Sequence, residues 1–256
     1  RHASMHAAGV VICGKPVDEY VPLSRAADGS ITTQYIMTTL EELGLLKMDF
    51  LGLRTLTVIQ DTINLVKQNR GIDVEYDKDM SDPKVYKLWQ DGDTVGIFQF
   101  ESQGITNFMK ELKPDCLEDI VAGVSLYRPG PMDQIPRYIA NKKDPEHAIY
   151  THPALKPILK VTYGCMVYQE QVMQIVRDLA GYSLGRADLV RRAMGKKKLD
   201  VMAKEREYFI HGQTDENGNI IIPGCVRNGI DEQSANKIFD EMAEFAKYAF
   251  NKSHAA

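Results

Sequence analysis

The sequence predicts an α+β fold in which a small β portion is followed by a mostly α-helical region. Short runs rich in Val, Ile, Tyr and Thr, separated by Gly, Pro and Asp, fill the first fifty residues and are typical of strands. After Leu53, apolar residues recur at steps of three and four, which is the spacing of one helix face. We therefore expect strands at 9–13, 31–37 and 45–50, with a turn at Asp28-Gly29 between the first two.

The helices of the second region are predicted from their start and stop signals. The first carries Leu56, Ile59 and Ile63 on one face and stops at Gly71, and from there the chain is expected to stay helical. Asp82 before Pro83 is a cap followed by a proline in the first turn. The other helices are predicted to be capped by Asp115, to open at His152-Pro153, to span 168–180 before Gly181, to run from Ser183 to Gly195, and to cover 201–211 and 231–245.

Composition indicates a globular protein without a membrane span. The 256 residues are 44% hydrophobic and 26% charged, and no apolar run approaches the roughly 18 residues that a span needs. No signal peptide is recognised at the start of the chain. The four cysteines form no CxxC pair, so we expect free thiols in a reducing cytoplasm rather than a zinc site.

The net charge of −4 argues against a uniformly basic nucleic-acid binder, but the charge is unevenly distributed. Between 186 and 206, eight Lys and Arg residues stand against three acidic ones, so this segment carries +5 and the rest of the chain −9. Such a concentration is what a local phosphate-binding surface needs. A solvated helix face is the alternative interpretation.

Asp49 is the first candidate for chemistry, because it ends a strand-like run just before a helix. A carboxylate in this place can hold Mg²⁺, and Lys47, two residues earlier, points to the same face of the strand. His6 is a further residue that could face this cleft. The alternative is that Asp49 caps the following helix. One carboxylate cannot hold two Mg²⁺ ions, so a catalytic Asp49 needs partner ligands outside this chain.

Two further polar clusters could bind phosphate. Arg191, Arg192 and Lys196–Lys198 lie at a helix end, but without the spaced glycines of a P-loop. The C-terminal run 248–254 places aromatic residues beside Lys252 and His254, where a base could stack, although a chain end is often frayed. Arg128, in the loop RPGP, suits a binding loop or a structural turn equally well.

HExxH, GxSxG and GxGxxG motifs are absent, so zinc proteases, serine hydrolases and dinucleotide enzymes are not supported.

Together these segments resemble the bacterial DNA polymerase III alpha subunit family, the C family of replicative DNA polymerases. The resemblance runs through the whole chain in the family's order and is closest to the main type of alpha subunit. It is carried by HAAGVVI (6–12), LLKMDFLGLRTLT (45–57), GIFQFES (96–102), YRPGP (127–131), YGCMVYQEQVMQI (163–175), LVRRAMGKKK (189–198) and FNKSHAA (250–256).

The resemblance implies a polymerase-beta-like nucleotidyltransferase palm that ends in this chain and is followed by part of the fingers. Residues 1–53 then correspond to the end of the palm and 54–256 to the beginning of the fingers. In the family three aspartates hold two Mg²⁺ ions; Asp49 matches the third, and the D-x-D pair would precede Arg1. The resemblance assigns nucleotide binding to Lys47, Arg191, Arg192, Lys252 and His254, and contact with DNA or triphosphate to Lys196, Lys197, Lys198 and Arg128.

The implied activity is DNA-directed DNA synthesis in chromosomal replication, with primer-template DNA and deoxynucleoside triphosphates as substrates. The sliding clamp and other replicase subunits would bind through parts of the family's protein that are missing here. The D-x-D acids and the thumb are also missing, so the fragment alone is expected to be inactive. Two other classes stay open. A non-catalytic DNA-binding module would bind in a salt-dependent manner without needing Mg²⁺ or nucleotide. An interaction domain with a solvated basic face would not bind DNA.

Overall fold

The computed structural model describes residues 5–6, 8–26, 28–75, 79–195, 199–246 and 248–256. The chain divides into two compact units, Arg1–Tyr76 and Asp77–Ala256, called here unit 1 and unit 2. Among the described helices, none combines the length and apolar character needed to cross a membrane.

In its described residues, unit 1 contains two small antiparallel pairs of strands and two α-helices. Its inner apolar cluster is formed by Val21, Leu40 and Leu45, against which Val11 packs. The elements are β1 (Gly9–Ile12), β2 (Leu23–Arg25), β3 (Ile31–Thr33), α1 (Met37–Glu42), β4 (Leu46–Asp49) and α2 (Arg54–Arg70), with β1 paired to β4 and β2 to β3.

The strands predicted at 9–13 and 45–50 are confirmed, and α2 begins just after Leu53 as expected. The strand predicted at 31–37 is wrong in its second half, because it ends at Thr33 and Met37 starts α1. Packing favours the change, because Leu40 in α1 is buried in the inner cluster. β2 was not predicted, and it is this strand that the turn at Asp28-Gly29 joins to β3.

The outer face of the β1–β4 pair is apolar and exposed. Val10 and Met48 are directly opposite each other, as are Ile12 and Leu46, and all four side chains are between 42% and 56% exposed. A two-stranded sheet of this kind also leaves backbone groups free along both edges.

The described part of unit 2 is mostly helical, with one β-hairpin and two apolar clusters. The larger one joins α8, α9, α10 and α11. The smaller one joins α4 and α5 and includes Tyr138 and Tyr168. The elements are α3 (Pro83–Asp91), α4 (Gln103–Leu112), α5 (Leu117–Leu126), α6 (Ile135–Lys143), α7 (Lys156–Leu159), α8 (Gln169–Ala180), α9 (Leu184–Gly195), α10 (Leu199–His211), β5 (Gln213–Thr214), β6 (Ile220–Ile222), α11 (Glu232–Phe245) and α12 (Lys252–Ala255).

Most of the predicted helix signals are confirmed. Asp82 caps α3 by accepting a hydrogen bond from Lys84 N–H (2.8 Å), and the His152 ring accepts one from Ala154 N–H (3.2 Å) at the start of a short 3₁₀ segment that leads into α7. Gly71 and Gly181 end their helices with φ of 65° and 79°, in the left-handed region that glycine adopts readily.

Two predictions for unit 2 are wrong. The residue in the cap position of α5 is Cys116, with no side-chain cap, whereas Asp115 pairs with Lys142 (3.1 Å). The expectation that the chain stays helical fails at the β5–β6 hairpin, where Asp215 accepts hydrogen bonds from the backbone N–H groups of Asn217 and Asn219. These hydrogen bonds stabilise a turn at Asp215, and the turn interrupts the run of helices.

The Gln171 amide fixes where α8 begins. Its Oε1 accepts hydrogen bonds from the backbone N–H groups of Val167 (2.8 Å) and Tyr168 (3.0 Å), and its Nε2 donates to Thr162 Oγ1 (2.8 Å). The Gln171 side chain is buried, so water cannot replace these bonds. The chain therefore enters α8 in one defined direction.

We expect Gln171→Leu to lower the free energy of unfolding by at least about 2 kcal/mol, because it leaves two buried N–H groups without an acceptor. Urea denaturation of the chain measures the change. Gln174→Leu is the matched control, since Gln174 is exposed on the same helix and its replacement should cost less than about 0.5 kcal/mol. Equal losses in both variants would contradict the role given to Gln171.

Candidate functional site

Asp49 and Lys47 form a polar pair at the end of β4. The register of the sheet places Gly9 opposite Asp49 and Val11 opposite Lys47, so all four residues share one face. Lys47 Nζ donates a hydrogen bond to Asp49 Oδ1, and His6 Nδ1 lies 3.8 Å from the same oxygen. The structure therefore brings together the three side chains that the sequence suggested for this cleft.

Gly9 provides the space in which these side chains meet. A Cβ atom at Gly9 would lie 2.9 Å from His6 Nδ1 and 2.9 Å from Lys47 Cε, closer than real Cβ contacts allow. An added methyl group at position 9 would therefore make the flexible ends of Lys47 and His6 shift, so Gly9 leaves the room in which the Lys47–Asp49 pair forms.

The electrostatics of the pair keep Asp49 ionised at neutral pH. The hydrogen bond from Lys47, assisted by its positive charge and that of His6, lowers the pKa of the Asp49 carboxyl below its ordinary value. Its second oxygen, Oδ2, carries no contact from the described residues. The helix-cap alternative is wrong, because Leu53 occupies the cap position of α2 and no side chain caps that helix. Asp49 thus presents one free carboxylate oxygen, a ligand atom suited to a hard cation.

In unit 2, Asp188 pairs with Arg191 and Arg192, two of the three arginines of α9. Arg191 donates to Asp188 Oδ1 from Nε (3.0 Å) and Nη2 (2.6 Å), and Arg192 Nε lies 2.7 Å from Asp188 Oδ2. The hydrogen bonds from Arg191 and the nearby charge of Arg192 lower the pKa of the Asp188 carboxyl. Arg191 is 25% exposed and also donates to Gln169 Oε1 (3.0 Å), whereas Arg192 is 62% exposed. Arg191 is therefore fixed and Arg192 reaches into solvent.

The C-terminal segment is tied to the body of unit 2, so the alternative that it is frayed is wrong. Lys252 Nζ lies 2.8 Å from Glu118 Oε1, and its backbone N–H donates to the Glu170 carboxylate (3.2 and 3.3 Å). Phe250 accepts a hydrogen bond from Gln169 N–H (2.8 Å) through its carbonyl oxygen. The His254 ring packs edge-on against the Phe250 ring and remains exposed.

Arg128 also helps to attach the C-terminal segment to the body of unit 2. Its Nη2 donates to the Tyr248 carbonyl (2.8 Å), its Nε donates to the Ser125 carbonyl (3.3 Å), and its guanidinium lies 4.1 Å from the centre of the Phe250 ring. The structural reading of the RPGP loop thus has direct support, and a contact between Arg128 and DNA or triphosphate stays a prediction. Lys196, Lys197 and Lys198 lie outside the described residues.

The side chains that hold these cations were not identified from the sequence. Asp188 lies three residues before Arg191 and four before Arg192. This spacing could have predicted the ion pairs, because residues so spaced meet on one helix face. Glu118 and Glu170 are 134 and 82 positions from Lys252, so no local pattern links them to it.

Among the described residues, Asp115, Cys116 and Asp119 form a group of three potential metal ligands, far along the chain from Asp49. Asp119 is buried and lies 2.8 Å from Lys142 Nζ, so its charge is already balanced. All four cysteines are free, as predicted, and burial raises the pKa of Cys165 to about 11 and that of Cys225 to about 12.

We expect Lys47→Met to raise the pKa of Asp49 toward its ordinary value, because the charged donor that stabilises the carboxylate is lost. The carbon chemical shift of the Asp49 carboxyl, followed by NMR between pH 2 and pH 6, measures it. Asp28 is the internal control, since Ser30 rather than Lys47 lowers the pKa of its carboxyl. An unchanged Asp49 titration would contradict the pairing.

We expect Gly9→Ala to separate Lys47 from Asp49, because the added methyl group occupies the place of the Lys47 stem. The same NMR titration should then show the pKa of Asp49 raised, as in the lysine variant. Gly14→Ala is the matched control, since a Cβ there meets nothing within 4 Å. Equal titrations in both alanine variants would show that the space at Gly9 is not needed.

Two family models match the chain. Residues 55–217 match a model described as the bacterial DNA polymerase III alpha subunit finger domain. Residues 1–52 match a model described as the bacterial DNA polymerase III alpha NTPase domain.

Similar curated proteins are named DNA polymerase III subunit alpha. Those of Thermus aquaticus, Aquifex aeolicus (strain VF5) and Staphylococcus aureus (strain COL) are 50%, 47% and 47% identical to the chain over its whole length. The matched regions cover 20%, 21% and 23% of these relatives, so the chain spans about a fifth of their length. The finger-domain model covers more than half of the chain, and the chain therefore belongs to the bacterial DNA polymerase III alpha subunit family.

Proposed function

We propose that this chain is the part of a bacterial replicative DNA polymerase in which the palm ends and the fingers begin, with residues 1–53 in the palm and 54–256 in the fingers. The polymerase is a nucleotidyltransferase that extends a DNA primer on a template. The observation that carries the proposal is the Lys47–Asp49 pair, an ionised carboxylate with a free oxygen beside an ammonium group. The matches to the NTPase-domain and finger-domain models support the division.

The reaction joins the primer 3′-oxygen to the α-phosphorus of a deoxynucleoside triphosphate. The bond between that phosphorus and the bridging oxygen of the β-phosphate breaks, pyrophosphate leaves, and the 3′-hydroxyl gives up its proton. Base choice comes from pairing with the template, so the protein's contacts go mainly to backbone and shape.

The Asp49 carboxylate fits a Mg²⁺ site in charge and ligand type, and its Oδ2 is the oxygen available for it. Two Mg²⁺ ions supply Lewis acidity, which lowers the pKa of the attacking hydroxyl and balances charge on the departing pyrophosphate. Asp49 would provide one ligand, and the other carboxylates would come from segments outside this chain.

Several cationic side chains are proposed to contact phosphate groups. Lys47, Arg191, Arg192, Lys252 and His254 are assigned to nucleotide binding, and Lys196, Lys197, Lys198 and Arg128 to triphosphate or DNA. Arginine offers paired donors to phosphate oxygens, while lysine acts as a mobile charge. Preorganised cations stabilise negative charge as it develops in the transition state.

The partners follow from the same proposal. Primer-template DNA and deoxynucleoside triphosphates are the substrates, and the place of action is the cytoplasm. The sliding clamp and the other replicase subunits would be bound by the remaining four fifths of a protein as long as the relatives.

Asp49→Asn in a full-length alpha subunit carrying this chain should slow primer extension by at least about a hundredfold, because the amide is a poor ligand for Mg²⁺. Rapid-quench primer extension measures the rate, and fluorescence anisotropy measures DNA affinity, which should be unchanged. Asp18→Asn, an exposed acid of the same unit, is the matched control.

Extension at the wild-type rate would mean that Asp49 is not a metal ligand. DNA binding that depends on salt but not on Mg²⁺ or nucleotide, without extension, would favour the DNA-binding module instead.

A further inference from the structure

Two adjacent side chains at the start of α8 contact both cation-bearing segments of unit 2. Gln169 Oε1 accepts a hydrogen bond from Arg191 Nη1 (3.0 Å), and the Glu170 carboxylate accepts one from the backbone N–H of Lys252 (3.2 and 3.3 Å). The run that holds them, YGCMVYQEQVMQI (163–175), has no part in the proposed reaction. We propose that Gln169 and Glu170 are positioning residues that hold Arg191 and Lys252 for nucleotide binding, an inference that rests on the proposed function.

Gln169 completes the fixation of the Arg191 side chain. A guanidinium has five N–H donors, and the contacts with Asp188 and Gln169 use three of them, on Nε, Nη2 and Nη1. One donor on each terminal nitrogen remains for an anion. Because Asp188 and Gln169 approach from different helices, they fix both the place and the plane of the guanidinium. A guanidinium group fixed in this way binds a phosphate with little further loss of side-chain entropy.

Glu170 fixes the point at which the Lys252 side chain leaves the backbone. α12 is only four residues long, and its first N–H groups have no partner within the helix. Glu170 accepts from Lys252 N–H, and Asn251 Oδ1 accepts from His254 N–H (3.0 Å). The negative charge of Glu170 is also favourable at a helix N-terminus. The ammonium group itself is directed by Glu118, at 2.8 Å.

The two positioning side chains stand on a rigid support. Gln171, Val172 and Ile175, in the next turns of α8, are at most 3% exposed and belong to the core. Gln169 and Glu170 themselves are half-buried at the surface. Replacing them should therefore move the cations without unfolding the unit, which separates positioning from a role in stability.

Single-nucleotide incorporation by the full-length alpha subunit, with KM and kcat measured separately, tests the inference. We expect Gln169→Ala and Glu170→Ala each to raise the KM for the incoming nucleotide about tenfold, the effect of losing one hydrogen bond that involves a charged group. DNA affinity and the melting temperature should remain at wild-type values. Gln169→Glu retains an acceptor for Arg191 and should restore the wild-type KM. Gln174→Ala, exposed on the same helix, is the control.

Double-mutant cycles of Gln169→Ala with Arg191→Ala, and of Glu170→Ala with Lys252→Ala, distinguish failure of the proposed function from failure of the positioning role. If Arg191→Ala and Lys252→Ala leave KM unchanged, the proposed function is wrong at these residues. If those variants raise KM while the α8 variants do not, or if the paired effects simply add, only the positioning role is wrong. A lower melting temperature with no rescue by Gln169→Glu would also overturn it.

Discussion

The arrangement of unit 2 depends on one buried amide. Gln171 binds the two N–H groups that precede α8 and the hydroxyl of Thr162, so the chain can enter the helix in only one way. The larger apolar cluster packs against the rest of this helix, and its first turn receives the C-terminal segment through Gln169 and Glu170. A buried polar network that is fully satisfied specifies a unique geometry. Here it fixes the start of α8, where Gln169 and Glu170 contact Arg191 and Lys252.

Four of the candidate cations are paired with carboxylates. Asp49 pairs with Lys47, Asp188 with Arg191 and Arg192, and Glu118 with Lys252. Each pair keeps a flexible side chain in one region before a ligand arrives. Under the proposed function, a phosphate group that approached any of these cations would compete with the carboxylate already bound to it, so the net gain in binding free energy would be smaller than the full attraction between phosphate and cation.

The change from strands to helices near Leu53 and the ends of several helices could be predicted from the sequence, because caps and stops such as Asp82 and Gly71 act within a few residues. The elements β2, α1, α4, α6 and α12 and the β5–β6 hairpin were not predicted. The end of the strand at Thr33 could not be predicted either, since Leu40 enters a helix to reach a cluster formed by distant residues. The candidate site shows the same difference between local patterns, which the sequence reveals, and contacts that depend on the tertiary fold. Asp49 and Lys47 share a strand face by simple alternation, and Asp188 lies within one helical turn of its arginines. Glu118, Gln169 and Glu170 reach their partners only through the tertiary fold.

The attachment of the C-terminal segment also bears on the order of events during synthesis. Lys252 meets Glu118 across 134 positions, and Arg128 meets the Tyr248 carbonyl across 120. Contacts between residues so far apart form late, because the whole intervening chain must first be available. On the ribosome, α5 and α8 emerge before residue 252, so Glu118 and Glu170 lack their partner Lys252 until that residue has left the exit tunnel.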